Sequence, residues 1–205
     1  MADKFTLSVG LAHELEHGMN RNGGWDGELV KLLCEGNNLG KVRDILLGRA
    51  QVSVVDHIVN GDADPFLPDG WNVEEHKKQG DMKITRDGDN LFVNGKKIEF
   101  FLSDKQQGNK VIEGNKLRKE LADKPILNAN VLDYLYEHLE LIPESWKKDA
   151  GGNTRYIFFW GTVYRHSDGD LCVRCLCWCG GAWRWSDYWL DDSWFGYYPS
   201  AVLAS

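Results

Sequence analysis

His13-Glu14-Leu15-Glu16-His17 sets two imidazoles one helical turn apart with a carboxylate between them. This is the H-E-x-x-H arrangement in which two histidines grip Zn2+ and the glutamate serves as base. On a helical wheel the two histidines lie across from Leu7, Leu11 and Leu15, so a core-facing leucine stripe turns the imidazoles to water. Glu16 puts a charge inside the motif, no H-x2-G-x2-H extension follows, and a third ligand would have to come from a residue such as Glu28 or His57. The spacing therefore predicts a solvated helix face, with a zinc-dependent hydrolase as the alternative.

Cysteine is the second chemical signal. Cys34 stands alone, and Cys172, Cys175, Cys177 and Cys179 crowd one strand-like stretch. Alternation along a strand puts Cys175, Cys177 and Cys179 on one face and Cys172 on the other. Neighbours on one strand face sit near the Cα separation limit for a bridge, so free thiols are expected rather than disulfides. Zinc and iron–sulfur sites are usually built on paired C-x2-C turns, and only Cys172 and Cys175 have that spacing, so no metal or cofactor is expected. Asp62 and Asp64 read as turn formers, Cys34 as a small hydrophobe, and His57, His76, His138 and His166 as surface or capping residues. There is no G-x-S-x-G, no P-loop, and no G-x-G-x-x-G after a strand.

The elements that must carry these residues follow from periodicity. Residues 5 to 48 read as short helices broken by Asn-Gly-Gly, and residues 51 to 60 as a strand with Val52, Val54 or Val55, and Ile58 loosely alternating. The Pro- and Asp-rich GDADPFLPDGWNV marks the best boundary, dividing the chain into 1–70, an N-terminal helical segment plus strand, and 71–205. Asp87-Gly88 and Asn94-Gly95 between apolar runs predict hairpin turns. Lys116 to Leu121 and Asn130 to Leu141 predict helices, the second with Val131, Leu135, Leu139 and Ile142 on one side and Asn128 or Asn130 as cap. Tyr156 to Tyr164 predicts a buried strand, and His166 to Asp170 a turn into the Cys-rich strand. Helices, hairpin, helices and a β-rich end make an α+β arrangement.

From Arg165 to Ser205 the chain contains no Lys, Glu, Gln or Met, although these types make up about a fifth of the preceding residues. Five of the nine tryptophans fall between Trp178 and Trp194. Packing preference accounts for the tryptophans but not for a tail that admits Arg and Asp while excluding Lys and Glu.

Five segments carry a resemblance: Ile112 to Leu121 (IEGNKLRKEL), Leu127 to Tyr134 (LNANVLDY), Leu141 to Trp146 (LIPESW), Tyr156 to Thr162 (YIFFWGT), and the Trp-punctuated end with PSAVLA. With Asp62 to Phe66 more faintly, they resemble the variable proteins of diversity-generating retroelements, particularly those of candidate-phyla bacteria. In that family a reverse transcriptase randomises adenines, so Asn codons become a set of amino acids that lacks Trp, Lys, Glu, Gln and Met. Trp codons contain no adenine and persist as scaffold.

The resemblance implies a C-type lectin-like domain, an irregular antiparallel β-sheet with two helices, preceded by the small helical segment. It further implies a hypervariable region at about 165–198 and no catalysis. The varied, ligand-binding positions would be Cys172, Cys175, Cys177 and Cys179 on the first strand, then Ala182, Arg184, Ser186, Asp187 and Tyr188. Asp191, Ser193, Phe195, Gly196, Tyr197 and Tyr198 would complete the set. Arg184, Asp187, Tyr188, Phe195, Tyr197 and Tyr198 are expected in one patch that includes one face of the Cys strand, over buried Trp183, Trp185 and Trp189. Ser186, Tyr188 and Ser193 are expected to be exposed.

The partner is expected to be a variable ligand, a protein by preference. A net charge of −7 with no basic block argues against nucleic acid. No apolar run has the length of a membrane span and the first residues lack a signal-peptide pattern, which predicts no membrane insertion and a cytoplasmic protein by default.

Overall fold

A computed structural model describes residues 6–51, 56–108 and 110–204. The chain divides into two units, Met1–Val55 and Asp56–Ser205. The first holds α1 (Val9–Asn22), α2 (Gly27–Cys34) and α3 (Asn38–Leu46). Ser8 caps α1 by accepting from the Leu11 amide at 3.2 Å, and Asp26 caps α2 by accepting from the Glu28 and Leu29 amides. None of the three helices buries a residue, so the expected core-facing stripe of Leu7, Leu11 and Leu15 is instead exposed. About 50 residues in three short helices offer too little chain to enclose their own leucines.

The division falls at residue 55 and not at 70, because β1 (His57–Asn60) pairs antiparallel with the later strand Asp81–Asp87. Val52, Val54 and Val55 lie outside the described residues. Within β1 it is Val59, not Ile58, that enters the core.

The second unit continues with β2 (Asn72–His76), β3 (Asp81–Asp87), β4 (Asn90–Val93) and β5 (Lys96–Phe101). The last three form a meander whose turns place Gly88, Asn94 and Gly95 at positive φ, a backbone that Gly and Asn adopt with little strain. Next come β6 (Ile112–Glu113), α4 (Gly114–Leu121) and α5 (Ala129–Glu137). Helix α5 stops at Glu137 rather than Leu141, since His138 leaves helical geometry and Leu139–Leu141 forms a 3-10 turn. That break exposes Leu139 and turns Leu141 and Ile142 into the core. Asn128 precedes α5 without capping it; its Nδ2 donates to the carbonyls of Gly61 and Lys77.

The remaining strands are β7 (Tyr156–Phe158), β8 (Thr162–Arg165), β9 (Leu171–Cys179), β10 (Ala182–Trp189), β11 (Ser193–Trp194) and β12 (Ser200–Leu203). The single strand expected over 156–164 is split at Phe159–Gly161. There the chain passes so close to Asn128 that a Cβ on Gly161 would lie 2.7 Å from its amide nitrogen.

The result is a mixed α+β unit around one large sheet, ordered β1-β3-β4-β5-β12-β7-β9-β8-β2 with β10 added on β9. Among the described residues only β12 and β7 run parallel. Strand β9 is central: β10 pairs along its whole length, while β7 and β8 share its other edge. One face of the sheet packs on α5 through Val131, Leu132, Leu135, Leu176 and Trp183. The other packs on α4 and β11 through Leu117, Leu121, Phe158, Cys175 and Trp194. Among the described residues no helix is long and apolar enough to cross a membrane.

Candidate ligand-binding face

The register of the β9–β10 hairpin sorts the tail residues. Cys179 pairs with Ala182, Cys177 with Arg184, Cys175 with Ser186 and Val173 with Tyr188, so these share one face. Trp178 pairs with Trp183, Leu176 with Trp185, Arg174 with Asp187 and Cys172 with Trp189, and these share the opposite face. Tryptophan therefore occupies every second position of β10 except 187. Trp183 is buried, whereas Trp185 and Trp189 are half-buried.

The tryptophan face is held by an ion pair. Arg174, 1 % exposed, donates from Nη2 to Asp133 Oδ1 at 2.7 Å, and its guanidinium stands over the rings of Trp185 at 4.5 Å and Phe66 at 5.0 Å. Burial pushes the Asp133 carboxyl up even though Arg174 opposes the shift. Asp187 lies on this same face, half-buried, and burial raises its carboxyl against the favourable charges of His166 and Arg174. Asp187 thus does not join the other five aromatic and arginine positions, because odd-numbered and even-numbered residues of a strand point to opposite sides.

On the other face the aromatic residues form a continuous, half-buried cluster. Tyr198 meets Tyr188 at 4.9 Å between ring centroids, Tyr197 at 4.7 Å and Tyr156 at 5.3 Å, and Phe195 stacks on Tyr197 at 5.5 Å. Trp194 lies fully buried beneath, against Tyr188 and Phe158, with its indole N–H donating to the Trp189 carbonyl. Gln106 fixes the loop above by donating to the carbonyls of Phe195 and Tyr198. Arg184 and Ala182 are exposed beside this cluster, as are Asp191 and Ser193, while Gly196 is partly covered and approaches the Gln106 carbonyl. Ser186 and Tyr188, expected to be open to solvent, are half-buried because Tyr188 packs into the ring cluster and Ser186 faces Cys175 across the strand pair.

The cysteines divide unequally. All five in the chain are free. Cys172 is buried on the tryptophan side, and Cys175 and Cys177 are buried on the cluster side, so none of the three can serve as a contact surface. They sit in the middle of the sheet, covered on both faces by helices and loops, and burial drives all three thiols well above their ordinary value, Cys172 and Cys177 to about 12. Only Cys179 reaches the rim, where its thiol lies 3.3 Å from Cys177 and 3.8 Å from the Tyr156 hydroxyl. That contact and burial push the Tyr156 phenol up to about 12.

In the first unit His13 and His17 are exposed on α1 with their Nε2 atoms 2.9 Å apart, and His13 lies 3.8 Å from Glu16. Among the described residues no three His, Cys, Asp or Glu side chains converge on a point where a metal ion would sit. Comparison with protein-family models, with curated proteins and with solved structures finds no match.

Two participants escape a sequence reading. Tyr156 joins the ring cluster only because β7 lies beside β9, a pairing no local pattern announces. Arg174 carried a usable signal: it falls in register with Trp178 and Leu176, an inward parity at which a charge must find a partner.

Proposed function

We propose that this is a non-enzymatic ligand-binding protein that presents a retroelement-diversified surface on a C-type lectin-like scaffold. The observation that carries it is the alternation on β10, where Ala182, Arg184, Ser186 and Tyr188 face one way and Trp183, Trp185 and Trp189 the other. Codons without adenine would thereby fall on the packed side and replaceable codons on the open side, which is the arrangement a diversified strand requires. The mixed sheet with α4 and α5 on opposite faces is compatible with the lectin-like fold.

The binding surface comprises Arg184, Tyr188, Phe195, Tyr197 and Tyr198, with Ala182, Ser193 and Asp191 at its border. Tyrosine, phenylalanine and arginine supply large contact areas at low conformational cost, and a half-buried aromatic cluster of this kind suits a protein ligand. Cys179 belongs to the rim, and Asp187 and the other tail cysteines belong to the scaffold.

Sequencing sister genes from one natural population tests the proposal. Substitutions are expected at 182, 184, 186, 188, 193, 195, 197 and 198, with the Trp178, Trp183, Trp185, Trp189 and Trp194 codons unchanged and a near-repeat of the 3′ coding end close to a reverse transcriptase gene. Uniform conservation across both sets of positions would refute it.

A further inference from the structure

Outside the diversified face, the second unit contains a cleft of about 830 Å³ between the end of β2, helix α4 and the β7–β8 corner. Its volume lies within the range of small-molecule sites. Its shape is fixed by backbone contacts: the Lys77 amide donates to the Gly161 carbonyl at 2.7 Å, and the Gly161 amide donates to the Leu127 carbonyl at 2.8 Å. Gln79 ties in the neighbouring segment by donating to the Ile126 carbonyl and accepting from the Asn128 amide. The opening is therefore preformed.

The lining is positive in a chain that is acidic overall. Lys77, Arg118 and Lys119 face a single carboxylate, Glu75, which is already paired with Arg118 at 2.5 Å. Lys119 has no carboxylate at ion-pair distance among the described residues, and Lys77 reaches only the Lys124 carbonyl, at 3.5 Å. Two ammonium groups are thus uncompensated around one cavity. Leu121, Ile126 and Trp160 supply an apolar wall.

Trp160 adds the second, independent observation. It is 3 % exposed, it lines the cleft, and its indole N–H has no acceptor among the described residues. A buried donor without a partner is costly, by roughly 1–3 kcal/mol, and is rare in folded proteins unless a water, an ion or a ligand completes it. The neighbouring ring, Trp194, shows the ordinary outcome, since its N–H is satisfied by the Trp189 carbonyl at 3.1 Å. Trp160 packs on Trp194 at 4.6 Å, and its own donor is buried without an acceptor among the described residues.

From this geometry we infer that the cleft is a second, invariant ligand site, built to take a small organic phosphate monoester with a flat apolar body. A phosphate carrying nearly two negative charges matches Lys77 and Lys119 together, its oxygens accept from these ammonium groups, and the apolar body lies along the wall that Leu121, Ile126 and Trp160 form. The site does not depend on the diversified face, because none of its lining residues falls in the tail.

The test is a titration of the full ¹⁵N-labelled chain with phenyl phosphate, following the Trp160 indole cross-peak, identified by its loss in Trp160→Phe. Should that variant not fold, through-bond assignment identifies the signal in the native chain. A saturable shift of this peak is expected, with inorganic phosphate and phenol each binding about tenfold more weakly and Lys77→Ala/Lys119→Ala weakening phenyl phosphate by about tenfold or more. Both lysines are on the surface, so that variant keeps the fold. No saturable shift would overturn the proposal, as would a shift unchanged in the double lysine variant, equal binding of phenol, or shifts confined to the Phe195 to Tyr198 loop.

Discussion

Replacing Trp183 with Ala and, separately, its neighbour Arg184 with Ala probes the two sides of β10 one residue apart. Trp183 is 7 % exposed, lies edge-to-face with Trp178 at 5.6 Å, and packs with Leu176 into the core that α5 covers. Truncating a buried tryptophan removes its transfer energy and leaves a cavity, a loss of about 3–5 kcal/mol. Arg184 is exposed and contributes one bond from Nε to the Cys179 carbonyl at 3.3 Å, so its truncation costs within about 1 kcal/mol. With a guanidinium m-value of roughly 4 kcal/mol/M, the tryptophan variant lowers the midpoint by about 1 M and the arginine variant by under about 0.3 M. Far-ultraviolet circular dichroism with guanidinium, read on the transition of the Asp56–Ser205 unit at unchanged m, measures both. Equal midpoint shifts would refute the division of the strand into scaffold and display sides.

Asp133→Asn is expected to cost about 3–5 kcal/mol, because it leaves the Arg174 guanidinium buried without its counter-charge; a melt shifted by less than about 1 kcal/mol would show the pair to be dispensable. For Asp187 the folded carboxyl is raised above its ordinary 3.8 by burial, so the folded chain holds that proton more tightly than the unfolded chain. Its stabilising contribution is complete below pH 3.8 and is lost as pH rises through the raised value, so Asp187→Asn gains stability relative to the native protein across that window and a pH-independent difference would contradict the burial. Gly114→Ala brings a Cβ against the Trp194 indole and to 2.7 Å from the Leu190 carbonyl, an overpacking cost of about 1–3 kcal/mol readable in the same melts, with an unshifted midpoint as the contrary result. His13→Ala/His17→Ala is expected to leave folding of the second unit and ligand binding unchanged, since both side chains are exposed on α1; simultaneous loss of bound zinc and of a peptidase activity would count against it.

The α+β class was legible because its main elements announced themselves locally. Asp87-Gly88 and Asn94-Gly95 specify turns through backbone conformations that few other residues accept, and the Val131 and Leu135 spacing marks the inner side of α5. The parity of the β9 cysteines also followed from the strand period alone. What failed was solvent exposure. Alternation says that Cys175 and Ser186 share a side, but not that the Tyr188, Tyr197 and Tyr198 rings close over much of that side, since such packing depends on a loop held by Gln106 far earlier in the chain. A position between Trp185 and Trp189 groups Asp187 with its outward neighbours, whereas period 2 separates it from them. The Lys77, Arg118, Lys119 and Trp160 cleft draws on three distant segments and left no single-window trace.

Burial also ranks the positions proposed to be diversified. Near the Gly180-Gly181 turn, Ala182 and Arg184 are exposed, and Arg184 donates to a backbone carbonyl, that of Cys179. Further along β10, Ser186 and Tyr188 are half-buried, and Tyr188 contributes a ring to the packing around Trp194 and Tyr198. On the proposed function, a mechanism that rewrites codons without regard to this gradient would leave stability unchanged at the turn and tax it toward Tyr188. On that proposal the scaffold has to hold its own reserve on the opposite side, where Phe66 and Trp185 clasp the Arg174–Asp133 pair. The tryptophans set between the proposed variable positions would then act as a structural condition of variability: each outward residue is free to change because the inward residue beside it is not.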